Sequence, residues 1–518
     1  EPGDKLVLKC IPARITNRGN PYEFDYMFYM ENHGIKYYSF IDKNDISAIS
    51  TPLHRKTRHF SLIVRNRIIN LYRKSGVPEH SIPLVSAITL GEKSMLDAEA
   101  KQEFVKAGIM HIMAVSGLHA VILSMFIFNL MFFMKGKLEI PRVFLTLLFL
   151  WGFAFITGLT PSVLRATIMY SFLQGGKLIH RKPNNINSLL ASAFILIIIK
   201  PSVIFDAGFL LSYSAVFFIL AFYSKLYPKL EFSSRIADLI WQSAAVTIIA
   251  QLGTLPLTIL MFNRFPVYFI LTNIIIVPLS SLVIIAGLIV PVLYPLSFLN
   301  PLPGLVLGYL TDLTEYLTGR AASLPASTIE NIGMTLPECI ILFVLILILT
   351  DFLLGRKKSI LFPLLIILVF LSAMLSRESW TLSENKIVVY NTRSGISAGI
   401  QTGRILNLYT TDTVSDQSIT RHCSVLNLKL LKHKQLSNYA FIEACNKKIL
   451  IYKTGKLPDN IEPDIIITDS FRSLSQIQTK YSGEIVITSA SGLYPEMTGS
   501  NLKKIHIIRK SGACIIPI

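Results

Sequence analysis

Residues 239–261 read LIWQSAAVTIIAQLGTLPLTILM, an unbroken stretch with no charged side chain. About 20 apolar residues carry a helix through the hydrocarbon of a bilayer, so this run reads as a transmembrane span. Further runs of the same kind lie at 117–134, 142–158, 162–178, 186–200, 207–224, 338–354 and 359–376. The whole chain has 518 residues, 52% hydrophobic and only 16% charged, with a mean hydropathy of +0.52. A soluble protein carries nearer a quarter charged residues. Residues 1–110 and 380–518 have ordinary soluble composition, and the apolar runs crowd between them. The expected fold is a polytopic α-helical membrane protein with roughly 8 spans and soluble segments at both ends.

The interval 266–294 fits this pattern less well, being too long for one upright crossing and too short for two. Pro278 interrupts it, just after Asn273. Proline removes a backbone donor, and irregular backbone survives at membrane depth only where protein or water covers it. The interval therefore reads as a re-entrant pair of half-helices. Segment 302–325, with Asp312, Glu315 and Arg320 among leucines, reads as an amphipathic helix along the outer interface. Basic residues mark the cytoplasmic loops: Lys135, Lys137 and Arg142, then Lys177, Arg181 and Lys182, then Lys225, Lys229 and Arg235. A re-entrant 266–294 keeps Arg356, Lys357 and Lys358 on that same side, which places both soluble ends outside the cytoplasm.

The net charge of +18 fits cytoplasmic loops and anionic headgroups, and it also suits a polyanionic partner. The five cysteines, Cys10, Cys339, Cys423, Cys445 and Cys514, include no CxxC pair and form no zinc-knuckle pattern. Cys339 reads as a packing residue, and a Cys423–Cys445 pair stays open. A first residue of Glu1 is read as the start of a piece of a longer protein.

Polar side chains inside an apolar bundle are costly, so each is a functional candidate. The densest group is His111-Ile-Met-Ala-Val-Ser116-Gly117-Leu-His119 at the start of the first span. On a continuous helix both histidines share roughly one side; the plainer reading is a capped helix start. Arg165 follows in the third span, where it either snorkels or lines a wet path that attracts phosphate. Asp206 and Ser212 open the fifth span, Gln251 lies in the sixth, and Asn273 precedes Pro278. Residues 55–74 (RKTRHFSLIVRNRIINLYRK) contain Arg55, Lys56, Arg58, Arg65, Arg67, Arg73 and Lys74 and no acid. Phe60, Val64, Ile68 and Leu71 recur there at helical spacing, which predicts a basic amphipathic helix lying on lipid or tracking phosphates at a pore mouth.

These residues resemble the ComEC-type competence protein family of DNA internalisation channels. The similarity runs in order through Gly91-Glu-Lys93, Gly108 to His119, Gly158 to Met169, Asp206 to Ser212, Gln251 to Pro256, and on to Asn273 and Pro278. Gly19-Asn20-Pro21, Phe24-Asp25-Tyr26 and Gly34-Ile35 resemble the end of the family's N-terminal OB-like domain. The resemblance implies passage of single-stranded transforming DNA through the inner membrane. It also implies membrane lipids, DNA-receptor proteins and a cytoplasmic ATP-driven motor as partners, since the chain shows no P-loop; a homo-oligomer is left open. No cofactor is expected. The implied division is 1–50 as the end of the OB-like domain, 51–110 as basic amphipathic helices at the outer face, and 111–295 as the channel core. The remainder divides into 296–337 as the interfacial segment, 338–376 as two last spans, and 384–518.

Residues 384–518 read as alternating strands and loops, and their ending resembles the last strand of the metallo-β-lactamase-like domain that many family members carry. Such a domain needs an HxHxDH cluster to hold two metals close together. Here the strand 464–468 runs into Asp469-Ser470-Phe-Arg472, while His422, His433 and His506 stand singly and read as surface residues. A degenerate domain without metal or nuclease activity is expected. Two other classes remain. An intramembrane serine protease would use Ser116 with His119 as base, although Ala114 stands where the nucleophile motif needs glycine. A small-solute transporter would also be compatible with polar spans.

Overall fold

The structure is a computed structural model and describes residues 5–50, 57–113, 115–134, 136–178, 184–295, 301–355, 360–392, 395–411, 416–436, 438–444, 446–453, 461–469, 477, 480–481, 483–488 and 505–517. The chain forms two compact units. The first takes Glu1–Cys10, Phe40–Glu330 and Phe343–Pro363, and the second takes Ile11–Ser39, Asn331–Leu342 and Leu364–Ile518. Residues 1–50 are thus shared between the units.

Six helices among the described residues are long and apolar enough to cross a membrane. They are α6 (Glu139–Ile156), α9 (Ala207–Leu226), α10 (Arg235–Phe262), α11 (Phe269–Leu293), α13 (Leu336–Leu354) and α14 (Leu361–Ser383). Two further apolar helices are shorter, α5 (Gly117–Leu130) and α8 (Asn185–Ile199). Between them, α7 (Pro161–Leu178) carries Arg165, Gln174 and Lys177 and is less apolar. The protein is a multi-pass helical membrane protein.

One expectation is overturned. The interval 266–294 is a single continuous helix, α11, with Pro278 and Pro291 inside it, and not two re-entrant halves. Its 25 residues extend about 37 Å at 1.5 Å each, enough for a full crossing. Around Pro278, the Ser280 and Ser281 hydroxyls both donate to the Val277 carbonyl at 2.8 and 2.7 Å. Those bonds do not reach the Ile274 carbonyl, which loses its donor at Pro278; membrane helices tolerate such a loss where neighbouring helices pack around the turn, and α10 packs against α11. The next helix, α12 (Leu302–Ala322), packs against α11, burying Gly304, Leu307, Gly308, Thr311, Thr314 and Thr318. The strands β5 (Arg264–Pro266) and β6 (Thr328–Glu330) then pair antiparallel. The start of α11 and the end of α12 therefore meet, so the helical hairpin leaves on the side where it began.

The centre of the first unit is α3 (Ile82–Leu90), whose residues are all buried except Pro83. It packs with α2 (Thr57–Lys74), α11 and α12. The Tyr72 hydroxyl of α2 donates to the Gly287 carbonyl of α11 at 2.9 Å. The buried stripe of α2 is Ser61, Arg65, Ile69 and Tyr72, one position on from the expected Phe60, Val64, Ile68 and Leu71. Phe60 is 57% exposed. The stripe slipped because Arg65 finds buried partners, described below, and so takes a place an apolar residue was expected to hold.

The second unit holds two five-stranded sheets. One has the order β10-β9-β8-β7-β16, from β7 (Asn385–Val389), β8 (Ser397–Thr402), β9 (Ile405–Thr410), β10 (Lys429–Gln435) and β16 (Cys514–Pro517). The other has the order β11-β12-β13-β14-β15, from β11 (Tyr439–Ala444), β12 (Lys447–Tyr452), β13 (Ile465–Thr468), β14 (Glu484–Ile487) and β15 (Ile505–Ile507). Ile387, Val389 and Ile400 of one sheet share a core with Ile449, Ile467 and Val486 of the other. Helix α15 (Gln417–Leu426) covers the outer face of β7 and β9 through Ile419 and Leu426.

A strap from the N-terminal segment docks on this unit. Asn20 accepts from the Asn391 amide at 2.8 Å and donates to its carbonyl at 3.1 Å. Arg18 pairs with Asp416, the N-cap of α15, at 2.8 Å. Burial pushes the Asp416 carboxyl up, but the Ser418 hydroxyl and amide together with Arg18 outweigh it and hold the carboxyl below its ordinary value. Gly19, with φ +72°, lets its backbone come close to Gly512, where a Cβ would lie 3.0 Å from the Gly512 Cα.

Candidate functional site

Helix α5 starts at Gly117 because Ser116 stops it from starting earlier. Ser116 has extended backbone and its hydroxyl accepts from the His119 amide at 3.4 Å. In return the Ser116 amide donates to His119 Nδ1 at 3.3 Å. This is a capping box in which an imidazole replaces the usual carboxylate. His119 is 2% exposed. His111 precedes the helix in a turn and is exposed, so the two imidazoles do not share one helix as expected. The Ser116 hydroxyl is committed to an amide, and His119 Nδ1 faces the Ser116 amide instead of that hydroxyl, which does not make a nucleophile and base.

Across from this cap lies Arg165 of α7, only 7% exposed, so it does not snorkel. Its Nε donates to the Ser212 hydroxyl of α9 at 2.9 Å. Nη1 lies 3.9 Å from Met169 Sδ, and the guanidinium carbon is 5.8 Å from the centre of the Tyr213 ring. The Tyr213 hydroxyl in turn lies 2.8 Å from Ser192 of α8. A methyl group at Gly117 would collide with Nη2 and come within 3.2 Å of the Arg165 Cζ. Glycine is needed here for the guanidinium to rest on the first turn of α5. Four helices, α5, α7, α8 and α9, thus bring Ser116, Gly117, His119, Arg165, Ser192, Ser212 and Tyr213 into one region.

Two other arginines of this unit are buried, and both are compensated. Arg142 donates from Nε to the Phe128 carbonyl in the last turn of α5 at 2.9 Å. Arg65 pairs with Glu92 at 3.0 Å and donates to the carbonyl of Ile156, the last residue of α6, at 2.9 Å. Arg165 has no acidic partner among the described residues.

The remaining candidates lie elsewhere. Asp206 caps α9, accepting from the Phe209 amide at 3.1 Å. Gln251 on α10 and Asn273 on α11 are half-buried; among the described residues no bond joins either to Arg165, and Asn273 Oδ1 is buried without a hydrogen-bond partner there. Of the basic series, Arg67, Arg73 and Lys74 are exposed. Arg65 is buried, and Arg55, Lys56 and the Arg58 side chain lie outside the described residues, as do Lys135, Arg181, Lys182 and 356–358. Tyr213 and Met169 lie in the stretches quoted from the sequence but are not among its candidate site residues. The signal available was their position, one residue after Ser212 and one helical turn after Arg165.

Residues 88–357, more than half of the chain, match the family described as competence protein. The chain belongs to the ComEC-type competence protein family. This competence protein is similar to ComE operon protein 3 of Bacillus subtilis (strain 168), with 30% identity over 293 residues, covering 57% of this chain and 36% of that relative. It therefore aligns with about a third of that relative's length. No solved structure matches the chain.

In the second unit of this competence protein, residues 470–476 after β13 lie outside the described residues. Among those described, no three His, Cys, Asp or Glu side chains stand together to hold a metal. His422 is fully buried, a correction to the expected surface position: its Nδ1 lies 2.7 Å from the Tyr390 hydroxyl, and the Tyr22 ring of the strap stacks on it at 5.9 Å. A neutral imidazole can be buried because one ring nitrogen finds a partner. His506 Nε2 lies 3.1 Å from the Gly512 carbonyl. The sequence at the end of β13 and after it, Thr468-Asp469-Ser470-Phe471-Arg472, contains no histidine.

Proposed function

We propose that this protein conducts single-stranded DNA across the inner membrane into the cytoplasm during competence. The supporting observation is Arg165, a buried and permanently charged guanidinium whose hydrogen-bond partners are a hydroxyl and a thioether. Burying a charge without a counter-ion is costly, and a passing phosphodiester backbone would supply the missing charge. Tyr213 adds an aromatic face of the kind on which bases stack. Helix α5 has 14 residues and reaches about 21 Å, short of the roughly 30 Å hydrocarbon. Its N-terminus and Arg165 would then lie at membrane depth, below an outer vestibule.

In this reading both soluble parts lie outside the cytoplasm. The α11–α12 hairpin returns the chain to its own side, and Lys225 pairs with Asp351 at 3.0 Å, joining the C-terminal ends of α9 and α13. That common end carries the basic loops. The N-terminal strap would be the tail of an OB-like domain and 384–518 a metallo-β-lactamase-like domain without its metal. A separate ATP-driven motor and DNA-receptor proteins would serve it. The test is delivery of labelled DNA to the cytoplasm of cells with and without the protein. Loss of cytoplasmic label in its absence, restored by the wild type and not by Arg165→Glu at equal membrane abundance, is expected; unchanged delivery without the protein refutes the reading.

A further inference from the structure

We infer that the first turn of α5 and the Arg165 guanidinium together form a phosphate-binding subsite, the ligand being a phosphate oxyanion such as a DNA phosphodiester. The inference rests on the conduit reading for its biological ligand, but its chemistry stands on the geometry alone. A helix ends in partial charges of about +0.5 at its N-terminus and −0.5 at its C-terminus. Helix α5 has a buried arginine at each end. Arg142 binds the Phe128 carbonyl at the negative end, where a cation belongs. Arg165 rests on Gly117 at the positive end, where a cation is repelled.

The local groups do nothing to relieve this. The Ser116 hydroxyl serves the third amide of the helix, His119. The Gly117 and Leu118 amides, first and second, have no hydrogen-bond partner among the described residues. Nη2 of Arg165 likewise makes no hydrogen bond there. Free amides at a helix start bind oxyanions, and a guanidinium presents paired donors matched to phosphate oxygens. Both halves lack the same thing, an anion within reach of each. With it in place, the like charges that now face each other would each gain a partner.

The test measures thermal unfolding of the purified full-length protein in phosphatidylcholine nanodiscs. Inorganic phosphate is titrated against chloride at constant ionic strength. Phosphate is expected to raise the wild-type Tm progressively, on the order of 3 °C. Arg165→Met is expected to remove that rise and, in chloride, to unfold no lower than the wild type, since it deletes an uncompensated buried charge. A purely structural arginine would give the opposite in chloride, a large fall. Arg165→Lys keeps the charge without the fork and should retain part of the rise. No phosphate effect on the wild type, or an equal effect on Arg165→Met, overturns the subsite.

Two further arms separate the sources of phosphate. A hexathymidylate that raises Tm in phosphatidylcholine discs, where its methylphosphonate analogue does not, assigns the site to the DNA backbone. A phosphate effect already saturated in phosphatidylglycerol discs assigns it to a lipid headgroup. If phosphate binding depends on Arg165 yet wild-type cells deliver no DNA, the conduit reading fails and the subsite stands. If delivery needs the protein but phosphate has no effect on Tm, the subsite fails and the conduit stands.

Discussion

At the residue scale, Ser116 shows how a motif can suggest more chemistry than its geometry allows. Ser-x-x-His reads as a nucleophile with a nearby base, yet the two side chains bond each other's backbone amides. Ser116→Ala should therefore lower stability by about 1 kcal/mol, as loss of an N-cap does, and Ser116→Asn should restore most of it. Labelling of the wild type by a fluorophosphonate would contradict the cap as its role. His422 is the other informative single residue. Burial first, and the Lys386 charge second, hold its pKa down to about 4 from 6.5. Between those values the unfolded chain binds a proton that the folded unit refuses. Stability is then complete above pH 6.5 and falls as the pH drops toward 4, by up to about 1.4 kcal/mol per unit. Hydrogen exchange in residues 417–426, corrected for its intrinsic pH dependence, should quicken from pH 7 to pH 5 in the wild type and not in His422→Phe. Equal slopes in both would show that another group controls the unit.

At the scale of elements, each of the eight apolar runs holds a helix, because the thickness of the hydrocarbon sets a length that composition alone can reveal. The expected run 239–261 lies within α10, and 338–354 lies within α13. The reading failed at Pro278, where a missing backbone donor was given the power to end a helix. Helix α11 runs through that defect packed against α10 and α12, and sequence does not disclose which neighbours a turn will meet. The α11–α12 hairpin brings the chain back to where α11 began, as a re-entrant loop would. Cysteines replacing Arg264 and Thr328 should react with an impermeant thiol reagent from one face of the membrane, and a cysteine replacing Tyr294 from the other. All three reacting from one face would restore the re-entrant arrangement. Pro278→Ala should leave this pattern unchanged.

At the scale of the whole molecule, the candidate site was legible as a set of polar residues but not as an assembly. Arg165, Ser116, Gly117, His119 and Ser212 come together, whereas among the described residues no hydrogen bond joins Gln251 or Asn273 to them, and Asp206 serves as a cap. Proximity among helices is a tertiary fact, and hydropathy carries no information about which faces meet. The second unit illustrates the same limit: its strands alternate visibly in sequence, but the docking of Asn20 on Asn391 joins positions far apart in the chain. If the domain has lost its metal, purified full-length protein should contain less than stoichiometric transition metal and degrade neither DNA strand when zinc or manganese is added; stoichiometric metal with metal-dependent cleavage would reverse that. The path itself can be examined by placing a photo-crosslinking amino acid at Tyr213, beside Arg165, and at Phe172, an exposed residue of α7, in cells taking up labelled DNA. Single-stranded DNA joined to position 213 and absent from position 172 is the expected result; equal crosslinking at both positions, or none at 213 while DNA reaches the cytoplasm, would contradict a route past Arg165.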